Sequence, residues 1–516
     1  MIYIMSATSE NNKRIAKNTL FLYVRMLLIM GVTLYTSRVV LQVLGVEDFG
    51  IYNVVGGIVA LFSMFTGSLT SAINRFLTVE LGNGNQQRLA IIFSTSVNIQ
   101  LLLSVIICVF VELAGVWFLN NRMNIPAERL YAANWVLHTS ILTFMTNLIS
   151  VPYNAAIIAH ERMKAFAYVS VLDVFLKLGV VYFLFLDLYD GLVVYSVLLF
   201  IEAMVIRFIY GAYCKRHFEE CSYRFVYDKV LLKEMAGMAG WNFIGVTSGV
   251  LRDQGVNILL NLFFNPVVNA ARAISVQVGI AVNSFANNFF TALNPQIMKS
   301  YVIGDKSYMI RLVFLGTRFA YYLLLLLSLP ILLEAETILS LWLQSVPEYT
   351  TCFVRLTLIF VLSESISQPL VTSMFATGKI RNYQIIVGGI HMLIFPLSYL
   401  ALYCGAFPEI PLYITIVISQ LCLFSRLLLL RKMIGLPMME YLRKVYNNIL
   451  SVSIVASLLP SAVCYFFPVS FLRLFLVSGI SLVSTIFAVY RIGCSGEERV
   501  LIRQKIACLK YKIIRK

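Results

Sequence analysis

Arg252 and Asp253 stand side by side in "SGVLRDQGVNILLNLFF", residues 248–264, and nothing else in that stretch is charged. An adjacent guanidinium and carboxylate can hold an anionic ligand, bind a coupling cation or proton, or neutralise each other. A charge at the centre of a bilayer helix costs roughly 3 kcal/mol on insertion scales. A pair kept there needs a reason. Other apolar runs hold the cations Arg25, Arg38, Lys177, Arg207, Arg272, Arg318, Arg355 and Arg426, and the acids Glu112, Asp173, Glu202 and Glu364.

Some of these charges are accounted for locally. Asp173 and Lys177 are four residues apart, so one helix face carries both as an ion pair. Arg207 and Arg426 lie near one set of helix ends, Arg38 and Glu112 near the other, where long side chains reach water. Arg25, Arg252, Arg272, Arg318 and Arg355 remain, with Asp253 and Glu364 as the acids available to them. Each arginine taken singly also fits a structural pair between helices. As a group they leave a positive excess that calls for a wet cavity or an anionic ligand. Arginine suits phosphate, because its planar fork donates two bonds at once and stays charged at any working pH.

The elements that must position these groups are long apolar helices. Hydrophobic residues make up 59% of the 516 positions and charged residues 13%, with a mean hydropathy of +0.83. Soluble domains are nearer half apolar and a quarter charged. The sequence reads as an all-α membrane protein with about fourteen spans, each near the 20 residues that cross ~30 Å of hydrocarbon. The first span is too long and too charged for a cleaved signal peptide.

With both termini cytoplasmic, the cytoplasmic segments hold most of the 41 Lys and Arg, and the external loops only Arg122, Arg129 and Arg473. The net charge of +16 is therefore a topology signal under the positive-inside rule, and nucleic acid is not an expected partner. Residues 214–235 form a basic linker between a six-span half, 1–213, and a second, 236–430, followed by two spans in 431–490 and a basic amphipathic tail, 491–516. "SGEE" at 495–498 opens that tail as a capping box, and the tail suits the anionic inner leaflet.

The halves share a layout. "VELGNGN" at 79–85 recurs as "SYVIGDK" at 300–306, at the same distance from the start of each half. Parallel repeats imply two lobes related by a pseudo-two-fold axis along the membrane normal.

Enzyme signatures are missing. The chain has no GxxxxGK[ST], no HExxH, no nucleophile triad and no CxxC, and no metal or cofactor is expected. His138 and His391, inside spans, relay protons or pack between helices.

"LGVEDFGIYNVV" (44–55), "LLNLFFNPVVNAARAISVQV" (259–278), "TALNPQIMKSY" (291–301) and "FATGKIRNYQI" (375–385) resemble bacterial polysaccharide-export flippases. These belong to the multidrug/oligosaccharidyl-lipid/polysaccharide exporter superfamily and move O-antigen or capsule repeat units across the inner membrane. The resemblance runs over essentially the whole chain. It implies a MATE-like, V-shaped fold, a central cationic cavity, and an undecaprenyl-diphosphate-linked oligosaccharide as substrate. In related peptidoglycan-precursor flippases, arginines on the first, second and eighth helices line that cavity. Arg25 and Arg272 lie on corresponding helices, whereas the second span has no interior arginine. Arg252, Arg318 and Arg355 join the expected diphosphate site from charge counting, with Asp253 and Glu364 as counter-ions or coupling groups for H+, Na+ or the membrane potential. A polysaccharide polymerase or glycosyltransferases would be natural partners. The alternatives are a multidrug/cation antiporter, which would want an acidic cavity, and a membrane glycosyltransferase or polymerase, which would want catalytic residues on a larger external loop.

Overall fold

The computed structural model describes residues 2–160, 162–186, 189–226, 228–343, 345–378, 380–500 and 503–504. Among them every regular element is helical. Among the described residues eleven helices are long and apolar enough to cross a membrane, from Met26–Ala60 to Phe471–Gly493. The Met26–Ala60 stretch is bent at Gly45, which takes φ 78° and ψ 172°, a backbone region that glycine enters without the Cβ clash. The bend separates the first two spans read from sequence. The helices Ser63–Asn83, Lys229–Val250 and Pro266–Ile303 are too polar to be counted among them. Two of the three lead to the charges in question, because Arg252 follows Lys229–Val250 and Arg272 belongs to Pro266–Ile303.

The recurring turn has a common chemistry. Ser63–Asn83 ends on Gly84 at φ 70°, and Asn85 caps the next helix by accepting the Arg88 N–H at 3.1 Å. Pro266–Ile303 ends on Gly304 at φ 87°, and Asp305 accepts the Tyr308 N–H at 2.9 Å. A left-handed glycine closes one helix and an Asn or Asp opens the next.

The chain divides into two compact units. One holds Met1–Ile274, Leu343–Thr350 and Gly388–Ile414; the other holds Ser275–Trp342, Thr351–Val387 and Thr415–Lys516. In the first, Ile51, Val54, Val55, Ala133, Val136 and Leu137 pack into a core with essentially no exposed surface. Toward the other end of the same helices, Phe93 and Ile157 belong to a second core that also seats Cys214 and Phe218. In the second unit, Phe314 meets Tyr441 edge to face at 5.3 Å, and Leu293 fills the space beside Gly316.

Candidate functional site: a guanidinium–carboxylate pair on a π-turn

The helix Lys229–Val250 does not pass directly into Val256–Phe263. Leu251–Gly255 forms one turn of π-helix between them. Such a turn inserts one residue into the helical register, and is common where a helix carries function. Here it carries Arg252 and Asp253. Arg252 folds back on its neighbour, its Nε 2.9 Å from Asp253 Oδ1 and its Nη2 3.0 Å from Oδ2, the two-pronged geometry that fits a carboxylate best. The Asp253 side chain keeps 47% of its surface accessible and that of Arg252 20%. Gly255, on the same turn, leaves room for the Phe395 ring, which would stand 2.7 Å from a Cβ there.

Asparagines set the start of the helix that carries Arg272. Asn257, Asn261, Asn265 and Asn269 recur every fourth residue across the joint between Val256–Phe263 and Pro266–Ile303. Asn269 donates to the Asn257 carbonyl at 2.7 Å and to its side-chain oxygen at 2.9 Å, and Asn261 donates to Asn269 at 3.3 Å. Asn257 donates to the Asn53 carbonyl at 3.2 Å, and Asn261 accepts the Asn124 N–H at 3.0 Å. Asn261 and Asn269 are wholly buried. Inside apolar surroundings each unmade bond would be costly, so the ladder fixes how Pro266–Ile303 begins. Arg272 follows three residues later on that helix, and His391 lies on Gly389–Met392. All four residues belong to the first unit.

The other sequence candidates stand apart. Arg318, in the second unit, donates to Glu498 at 2.5 Å and to the Gly493 carbonyl at 2.8 Å, which fastens the root of the C-terminal tail. Arg355 is exposed and donates to the Leu332 carbonyl at 3.0 Å, at the C-terminal end of Lys306–Leu333. Glu364 faces Arg426 at 3.5 Å. The Arg25 side chain, and most of the tail, lie outside the described residues. Asp173 and Lys177 make the expected pair at 2.8 Å, and His138 bonds Glu112 at 3.0 Å. Sequence reasoning missed the asparagine ladder, although its four-residue spacing was legible. Among the described residues no three His, Cys, Asp or Glu side chains converge as metal ligands.

Polytopic apolar helices and the comparisons with known proteins place the chain among flippase and exporter-type transporters. The model of the family described as "Polysaccharide biosynthesis protein" matches residues 15–301, and the chain belongs to that family. No curated protein sequence matches it. Among solved structures it is similar to the lipid II flippase MurJ in an inward closed conformation, at 10% identity and a TM-score of 0.66, over 91% of this chain and 98% of that one. It is also similar to the MATE multidrug transporter DinF-BH, solved as a ligand complex, at 16% identity and a TM-score of 0.61, over 81% of this chain and 95% of that one. An inward-facing MATE family transporter of the MOP superfamily gives a TM-score of 0.59 at 17% identity, over 78% and 94%.

Proposed function

We propose that the protein flips an undecaprenyl-diphosphate-linked oligosaccharide, an O-antigen or capsule repeat unit, from the cytoplasmic to the periplasmic leaflet of the bacterial inner membrane. The reading is supported by the Arg252–Asp253 pair on its π-turn and by the asparagine ladder that sets the start of the helix carrying Arg272. Two guanidinium groups and one carboxylate leave a net positive charge for a diphosphate. Asp253 occupies the Arg252 fork while no anion is bound and yields it to the phosphate oxygens. Arg25 is the third arginine of the site on its sequence position. Arg318, Arg355 and Glu364 have other partners and enter only if those contacts exchange during transport.

In this mechanism the two halves expose the site alternately to each face, the sugars travel in water and the isoprenoid stays in lipid. With both termini cytoplasmic, two phosphate charges moving outward gain about 4–5 kcal/mol per 100 mV of inside-negative potential. Nucleotide hydrolysis is then unnecessary, and H+ or Na+ at Asp253 is the alternative coupling. A polymerase and glycosyltransferases would receive and supply the cargo, with the basic tail held on anionic lipid.

The test is translocation of a diphosphate-linked saccharide lipid in reconstituted vesicles. Arg252→Ala and Arg272→Ala should abolish flipping while the purified proteins keep the wild-type melting temperature. Full transport by the double variant would remove the anion site. Efflux of lipophilic cations with no lipid flipping would favour the drug-exporter reading.

A further inference from the structure

A second basic site lies elsewhere in the first unit, on the helix Gly191–His217. Arg207, Gly211 and Lys215 are spaced four residues apart and share one face of it. With Arg216 and Phe208 they line a hollow of about 720 Å³, whose far wall is Cys221, Ser222 and Tyr223, with Tyr153. Three cations converge there, and among the described residues no carboxylate lines it.

Three features separate this hollow from a basic helix end that only obeys the positive-inside rule. First, the Arg207 guanidinium lies over the Tyr153 ring, 3.9 Å from its centroid. Its Nε is buried, and among the described residues it makes no hydrogen bond. A guanidinium stacked on an aromatic face keeps its donors for something in its plane. Second, Gly211 provides the room, since a Cβ there would stand 2.7 Å from Arg207 Nη1. Third, the far wall is braced. Tyr223 donates to Asn98 at 2.7 Å, Asn98 donates to the Val226 carbonyl at 2.8 Å, and the Arg224 N–H reaches Ser94 at 3.3 Å. Before it, Glu220 meets His160 at 2.5 Å, and His160 stacks on Phe218 at 4.1 Å. A braced wall opposite three cations is a shaped site.

The same helix indicates what enters. Phe208 is 76% exposed, and Ile201, Met204 and Val205 are exposed too. In a membrane-spanning helix such residues face acyl chains, so an apolar strip leads directly to the cationic hollow. We propose that the hollow binds the phosphate headgroup of a membrane lipid, with Arg207 and the two rim cations on the phosphate and the acyl or isoprenoid chain along the exposed strip. A bulk anionic phospholipid and an isoprenoid diphosphate share this chemistry. The site stands on its own geometry, whether or not the transport reading holds.

The test is native mass spectrometry of the purified full chain with added phosphatidylglycerol, phosphatidylcholine, undecaprenyl diphosphate or inorganic phosphate. The wild type should retain phosphatidylglycerol or undecaprenyl diphosphate over phosphatidylcholine, and the preferred lipid identifies the source of the phosphate. Arg207→Gln combined with Lys215→Gln and Arg216→Gln should weaken retention by about tenfold or more, the loss of charge-assisted bonds. Gly211→Val keeps every charge but fills the hollow, and should weaken retention with the melting temperature unchanged. Equal retention by Gly211→Val and the wild type would reduce the feature to diffuse surface charge and overturn the proposal. So would displacement of the lipid by millimolar inorganic phosphate.

Discussion

Asp253→Asn gives the sharpest test of the candidate transport site. On the proposed mechanism an incoming diphosphate would compete with Asp253 for the Arg252 fork, which Asp253 holds at 2.9 and 3.0 Å. Opposite charges about 4 Å apart attract by about 4 kcal/mol at an effective dielectric of 20. The Asp253 side chain keeps 47% of its surface accessible, and fully exposed pairs are worth only about 0–1 kcal/mol. The net competition is therefore about 1–2 kcal/mol, or about 5- to 30-fold in affinity. Asn keeps the shape, removes the charge and relieves the repulsion of the ligand. Inorganic pyrophosphate, titrated calorimetrically into the detergent-solubilised protein, should bind about 5- to 30-fold tighter to Asp253→Asn than to the wild type. Flipping in vesicles should slow, because a site that holds its ligand harder releases it later. Pyrophosphate bound no tighter, or more weakly, would mean that Asp253 helps to hold the anion or lies away from it, and the exchange mechanism would fail.

The other predictions concern architecture. Arg318→Gln should destabilise the protein by about 3 kcal/mol, the cost of stranding a nearly buried partner, because Arg318 and Glu498 expose only 11% and 15% of their side chains; thermal melting checks this, and recovery in the exchange Arg318→Glu with Glu498→Arg would assign the loss to the pair. Gly50→Ala should lower the melting temperature and yield, since a Cβ at Gly50 would overlap the Pro266 carbonyl and overpacking costs about 1–3 kcal/mol or more. Burial pushes the Glu334 carboxyl up, but hydrogen bonds from Arg473 and Thr337 outweigh it and hold the carboxyl below its usual value. A lowered value gives stability that is complete above the unfolded value of about 4.3 and lost as pH falls through the folded one. Melting temperature should therefore drop below pH ~4, and Glu334→Gln should flatten that slope.

The arginines show what could and could not be read in advance. Arg252 and Asp253 were conspicuous because two charges interrupt an apolar run, but the π-turn that aims them has no sequence mark. Arg318 looked like a cavity cation because its partner Glu498 is 180 residues away. Charge counting along spans cannot see a carboxylate that returns from the tail. Arg355 likewise looked available until its helix placed it on the Leu332 carbonyl. Arg207 looked like a residue reaching for water, and the fold laid it on Tyr153 instead.

Helicity, a membrane as surroundings, the places where helices turn and the family resemblance are all written along the linear chain. Those properties add up residue by residue, from the transfer of apolar side chains into lipid and from Gly-Asn and Gly-Asp caps that act within four residues. The partner of each buried charge is written nowhere in it. An electrostatic or hydrogen-bond partner is set by distance in space, and the folded helices bring together side chains that the chain keeps a hundred residues or more apart.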